Sequence, residues 1–164
     1  MSEKKLKTKI AVIDTMFSRG DMGKIAIETM EKNAKEKNWE IEIKKRTVPG
    51  VKDIPLAMLN LLDEGCRAGL ALGMPGSMPI DKQCSHEASL GIGQIQLMTK
   101  KIVLEAFVHE DEGKTAGELA SIMRNRVSKH ALNLLWMLFA QEELDKRAGS
   151  GERQGKENAP KVRL

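Results

Sequence analysis

The stretch "LALGMPGSMPIDKQCSHEASLG", Leu70 to Gly91, hands a short apolar strand through a turn of glycine and proline into a helix. Its first residues are small and apolar, the pattern of a short strand. Pro75 and Gly76 break that run, and a helix follows from Asp81 to about Lys100. The same strand-to-helix step recurs on both sides of this stretch, and the fold follows from the repetition.

Upstream, "KIAVID" (9–14) is a β-branched run that reads as another buried strand. In "GDMGKIAIETMEKNAKEKN" (20–38), Met22, Ile25, Ala26, Thr29, Met30 and Asn33 share one face at helical spacing. "WEIEIKKRTV" (39–48) alternates through Trp39, Ile41 and Ile43, a strand with one wetter side. "DIPLAMLNLLDEG" (53–65) is a helix with Asp53 as its expected cap, Pro55 in its first turn and Gly65 as its stop. Downstream, "KIVLEAFV" (101–108) is a fourth strand, and 115–147 forms a long amphipathic helix with an expected break near Gln141.

Four strands alternating with four helices predict an α/β protein. The expected architecture is a three-layer α/β/α sandwich with a four-stranded parallel sheet, because right-handed crossovers place helices on the sheet faces. Residues 1–147 read as a single domain. Residues 148–164, "AGSGERQGKENAPKVRL", read as a polar, glycine-containing tail.

Charge and composition narrow the function. Residues 1–9 carry a net charge of +3 and residues 145–164 another +3, whereas 10–144 hold 17 basic and 19 acidic residues. Basicity therefore sits in the two ends and not on a folded face. Aromatics make up only 3% of the chain, too few to interleave a basic patch with stacking rings, so no nucleic-acid partner is expected. No apolar run approaches the roughly 18–20 residues of a membrane helix, and "MSEKKLKTK" lacks the pattern of a signal peptide. Cys66 and Cys84 form neither a disulfide framework nor a C-x-x-C pair, which points to a cytoplasmic protein.

Open parallel sheets bind ligands beyond the carboxyl ends of their strands. That rule selects Thr15–Arg19, Val48–Asp53, Gly73–Met78 and His109–Glu112. Neither G-x-x-x-x-G-K-[ST] nor G-x-G-x-x-G is present, so nucleotide-binding signatures are excluded. Gly73 and Gly76 would let a ligand approach the backbone, or only turn the chain. Phe17 is a large apolar side chain in a strand-end loop, placed to stack on a flat ring if it does not belong to the core. Cys84 and His86 are separated by roughly 200° around a helix. Cys84 falls with Ala88, Ile92 and Ile95 and is expected to pack inward, while His86 lies nearer the opposite face, structural, solvated or touching a ligand. His109, followed by Glu110, Asp111 and Glu112, is a candidate for proton transfer. The three acids would suit Mg²⁺, or only the polar lead into the last helix.

Taken in order and spacing, "AVIDTMFSR", "TVPGVKDIP", "ALGMPG", "DKQCSHEASLG", "FVHEDE" and "AGSGERQG" resemble the archaeal-type riboflavin synthases, relatives of the lumazine synthases. The resemblance spans about Lys9 to Gly155. It implies a lumazine synthase-like protomer, a homopentamer with sites between subunits, and a transferase of riboflavin biosynthesis. Two molecules of 6,7-dimethyl-8-ribityllumazine would disproportionate to riboflavin and 5-amino-6-(ribitylamino)uracil. No cofactor would be required, with a divalent cation such as Mg²⁺ the open alternative.

The resemblance assigns Phe17 to stacking on the heterocycle, and Pro49, Gly50, Val51 and Lys52 to the backbone along the ribityl chain. It assigns Asp53 to the ribityl hydroxyls, and Gly73, Met74, Pro75 and Gly76 to the pyrimidine or the four-carbon unit. His86 and His109 are the catalytic candidates. Lumazine synthases carry a histidine in a loop reading roughly "THFDYV"; here "MPIDKQ" stands in that place, with Ile80 nearest the histidine. Their glycine-rich phosphate site is also not evident, which favours the lumazine-consuming enzyme. A lumazine synthase and a non-catalytic flavin- or pterin-binding oligomer remain the alternatives.

Overall fold

The computed structural model describes residues 6–163. The strands are β1 (Thr8–Thr15), β2 (Ile41–Val48), β3 (Ala68–Gly73) and β4 (Ile102–Phe107). The helices are α1 (Met22–Lys37), α2 (Ile54–Asp63), α3 (Pro79–Thr99), α4 (Ala116–Phe139) and α5 (Gln141–Asp145). Short 3₁₀ turns, Val51–Asp53 and Glu110–Glu112, follow β2 and β4. The expected break near Gln141 is the Ala140 junction between α4 and α5.

All strand pairs are parallel, in the order β2-β1-β3-β4. The two central strands are the two whose sequences run apolar without alternation, because each is covered on both faces. In β1, Ile10 and Val12 join Met22, Met30, Leu134 and Leu135 under α1 and α4. Ala11 and Ile13 point the other way, to Ile54, Met58, Leu62 and Ile92 of α2 and α3. The period of two thus divides one strand between two cores. Each fully buried Ile, Leu or Met contributes about 1.5–3 kcal/mol.

The edge strand β2 keeps Lys44 and Lys45 in water, which disfavours pairing with another sheet edge. Its carboxyl half is tied to β1: Thr47 Oγ1 donates to buried Asp14 at 2.5 Å, and Lys45 Nζ lies 2.9 Å from the same carboxylate. Two sequence expectations shift. Helix α3 begins at Pro79, before Asp81. The Asp53 side chain makes no bond to the α2 backbone; it accepts from Gly50 N at 3.0 Å and closes the preceding 3₁₀ turn.

From Ala148 to Arg163 the chain has no helix or strand, yet it lies against α4 of its own protomer. Gly155 N donates to Asn125 Oδ1 at 2.7 Å, and Lys129 Nζ donates to the Arg153 carbonyl at 2.7 Å.

Candidate active site

Parallel strands end together, so the loops after all four meet at one edge. There they enclose a cavity of about 400 Å³. Each loop supplies wall: Thr15 and Phe17 after β1, Gly50–Lys52 after β2, Met74–Gly76 after β3 and Glu110 after β4. Asp81 and Cys84 of α3 complete it.

Phe17 is 71% exposed, so no core packing holds it and its ring is free to meet a ligand. Val51 packs close against the end of β3 because Gly73 is a glycine; a Cβ there would stand 2.7 Å from Val51 Cγ1. Gly76 serves a similar purpose, since a Cβ would overlap the Asp81 carboxylate. That carboxylate accepts from Met78 N at 3.1 Å and pins the start of α3.

Lys52 and Glu87 form an ion pair from the β2 loop to α3. The hydrogen bond to Glu87 holds the Lys52 ammonium above its usual range, and that from Lys52 holds the Glu87 carboxyl below its own. Arg19 N donates to Met74 Sδ at 3.3 Å, and the Arg19 guanidinium lies 3.7 Å from Glu110. The three acids after β4 diverge: Glu110 faces Arg19, Asp111 pairs with Lys82 at 2.6 Å, and Glu112 pairs with Arg126. Among the described residues, no three His, Cys, Asp or Glu side chains are grouped to hold a metal ion.

Of the residues named from sequence, Phe17, Gly50, Val51, Lys52, Met74, Pro75 and Gly76 line the cavity. Pro49, Asp53 and Gly73 are chain neighbours of lining residues and do not themselves line it. His109 adjoins Glu110; its Nδ1 is buried without a hydrogen-bond partner. His86 is on the exposed side of α3, away from this protomer's cavity.

Cys84 corrects an expectation. It is half-buried in the cavity wall, while Ser85 takes the inward position above Ala88, Ile92 and Ile95. Both positions lie one turn before Ala88, so spacing alone could not choose between them. Ser85 tolerates burial because its hydroxyl donates to the Asp81 carbonyl at 2.9 Å. Thr15, Asp81 and Glu110 were missed as wall residues, although the strand-end rule had already marked the loops of Thr15 and Glu110.

Residues 7–142 match the model of the 6,7-dimethyl-8-ribityllumazine synthase family. The chain belongs to that family. Its relatives include the riboflavin synthase of Methanothermobacter marburgensis, 48% identical over 90% of this chain and 95% of that one. The riboflavin synthase of Methanothermobacter thermautotrophicus is 47% identical over 92% and 97%. That of Archaeoglobus fulgidus is 40% identical over 90% and 94%. The parallel four-stranded architecture is consistent with that family.

Proposed function

We infer that this chain is a riboflavin synthase, which transfers a four-carbon unit between two molecules of 6,7-dimethyl-8-ribityllumazine. The products are riboflavin and 5-amino-6-(ribitylamino)uracil. The carrying observation is near-full-length similarity, at 47–48% identity, to proteins bearing that name. The cavity fits the reading: it offers one free aromatic face, a wall of backbone and small side chains, and few charged groups.

The chemistry asks little of individual side chains. Two identical molecules contain every atom of the two products, so nothing external is oxidised or reduced and no redox cofactor is needed. The C7 methyl group of the lumazine is acidic because its carbanion delocalises into the ring. Holding two flat rings in register supplies much of the acceleration, since orientation alone is worth several kcal/mol. Phe17 stacks on one ring, residues 49–53 run along a ribityl chain, and Gly73–Gly76 meet the pyrimidine edge. His109 moves the proton.

The enzyme works as a homo-oligomer, a pentamer in this reading, with sites shared between subunits. Exposed Leu56 on α2 and Leu90 and Leu97 on α3 support self-association, since a monomer would leave them in water. His86, on that same side, would act only toward a neighbour's ligand. Cytoplasmic location fits two free cysteines, and among the described residues no helix is long and apolar enough to cross a membrane.

The family's name makes lumazine formation the competing reading. Ile80, where those synthases carry a histidine, argues against it. Purified protein given lumazine alone, and separately a pyrimidine diamine with a four-carbon phosphate, distinguishes them. Riboflavin from lumazine alone supports the proposal. Lumazine formed only from the precursors contradicts it, as does binding of lumazine without turnover.

A further inference from the structure

Arg126 lies outside the cavity, yet it holds part of the wall. Its side chain is only 12% exposed. Nη1 and Nη2 donate to the two Glu112 carboxylate oxygens at 2.7 and 2.5 Å, and Nη1 also reaches the Phe107 carbonyl at 2.7 Å. Glu112 Oε1 in turn accepts from His109 N at 2.8 Å. One guanidinium therefore fixes the last residue of β4 and both ends of the turn that carries His109 and Glu110. Three of the five guanidinium N–H groups are so committed.

Gly155 covers it from outside. This residue is buried, with φ +77°, and a Cβ there would stand 2.5 Å from Arg126 Nε and 2.6 Å from Nη2. The tail thus seats on the guanidinium only because position 155 is a glycine. Excluding water there strengthens the Arg126–Glu112 pair. Burial first, and then the charge of Arg126, push His130 one turn along α4 below the usual histidine range.

We propose that Arg126, clamped by Gly155 of the C-terminal tail, is a positioning residue for the reaction: it sets the His109–Glu110 turn against the substrate. The tail is thereby part of the active site's support, and its seating tunes turnover without touching substrate. This rests on the riboflavin synthase reading.

The test compares Arg126→Gln, Arg126→Lys, Gly155→Ala, Gly149→Ala and the Arg126→Gln/Gly155→Ala pair, with kinetics on 6,7-dimethyl-8-ribityllumazine and melting temperatures. Gly149 is the control, because it shares the positive φ of the tail glycines but has nothing within reach of a Cβ. Arg126→Gln should lower kcat/KM about thirtyfold, Arg126→Lys less, and Gly155→Ala about fivefold, with Gly149→Ala matching wild type. The pair should be no worse than Arg126→Gln alone, since both changes release the same turn. Equal kinetics for Gly155→Ala and Gly149→Ala would overturn the proposal, as would multiplying losses in the pair, or an Arg126→Gln protein altered only in melting temperature. Should Arg126→Gln not fold, the two glycine variants decide. A wild type that makes no riboflavin would instead defeat the functional reading, and this proposal with it.

Discussion

The backbone N–H of Glu110 donates to the Pro75 carbonyl at 3.0 Å, and Val108 N donates to Gly73 O at the same distance. The loop after β3 and the turn after β4 are thereby one wall, continuing the β3–β4 ladder beyond its last strand residues. The proposed substrate contacts of Gly73–Gly76 and the proposed proton-transfer residue His109 sit on this shared piece of backbone.

Phe17 should matter for binding and not for folding. With its ring 71% exposed, Phe17→Ala removes no core contact but does remove a stacking face, worth about 0.5–1.5 kcal/mol. Steady-state kinetics should give a KM raised about twofold to tenfold and slower turnover, with the oligomer and melting temperature kept. Wild-type constants would remove Phe17 from the site.

Asp53 secures, through Gly50 N, the loop proposed to run along the ribityl chain. Asp53→Ala should lose about 1–3 kcal/mol of lumazine binding, measured by calorimetry or fluorescence titration. Asp53→Asn keeps an acceptor oxygen and should retain most of it. Equal losses in both variants would show that the charge, and not the turn, carries the effect.

His109 holds one ring nitrogen buried without a partner. If it moves the proton, His109→Gln should lower kcat on the order of a hundredfold while KM changes little, the usual size of a general acid–base contribution. A drop confined to KM would make it a binding group. His86→Gln should affect only the oligomer's activity, since its exposed side chain does not line its own protomer's cavity.

Glu112 predicts an acid sensitivity. Burial alone would raise its carboxyl, but hydrogen bonds from Arg126 and from His109 N hold it below the ordinary value of 4.5. A carboxylate depressed on folding stabilises fully above its unfolded pKa, and that contribution fades as pH falls through the folded one. Melting curves should show wild type losing stability below about pH 4.5, with Glu112→Gln less stable at neutral pH and less steep on the acid side. Parallel curves would contradict the pairing.

The strands and helices were readable because their patterns differ in kind. The apolar runs of β1 and β3 announced strands, and the alternation of Trp39, Ile41 and Ile43 announced one with a wetter side, which the structure places at an edge. Strand order was not readable, since the crossovers fix handedness but not which neighbour each strand takes. Within the site, loops could be selected by topology and Phe17 by its lack of structural excuse. Cys84 was misplaced because a helical stripe blurs at its first turn. Arg126 gave no signal at all: a basic residue midway along an amphipathic helix looks solvated until a glycine fifteen or more residues after the helix end folds back onto it.

The central claim is transfer of carbon from one lumazine to another. The direct test supplies lumazine labelled with ¹³C in its four-carbon unit, as sole substrate of purified protein, and follows label and stoichiometry together. The account predicts one riboflavin and one pyrimidine diamine for every two lumazines consumed, with both labelled units in the riboflavin and none in the diamine. Riboflavin failing to appear, or label remaining in the diamine, would contradict it.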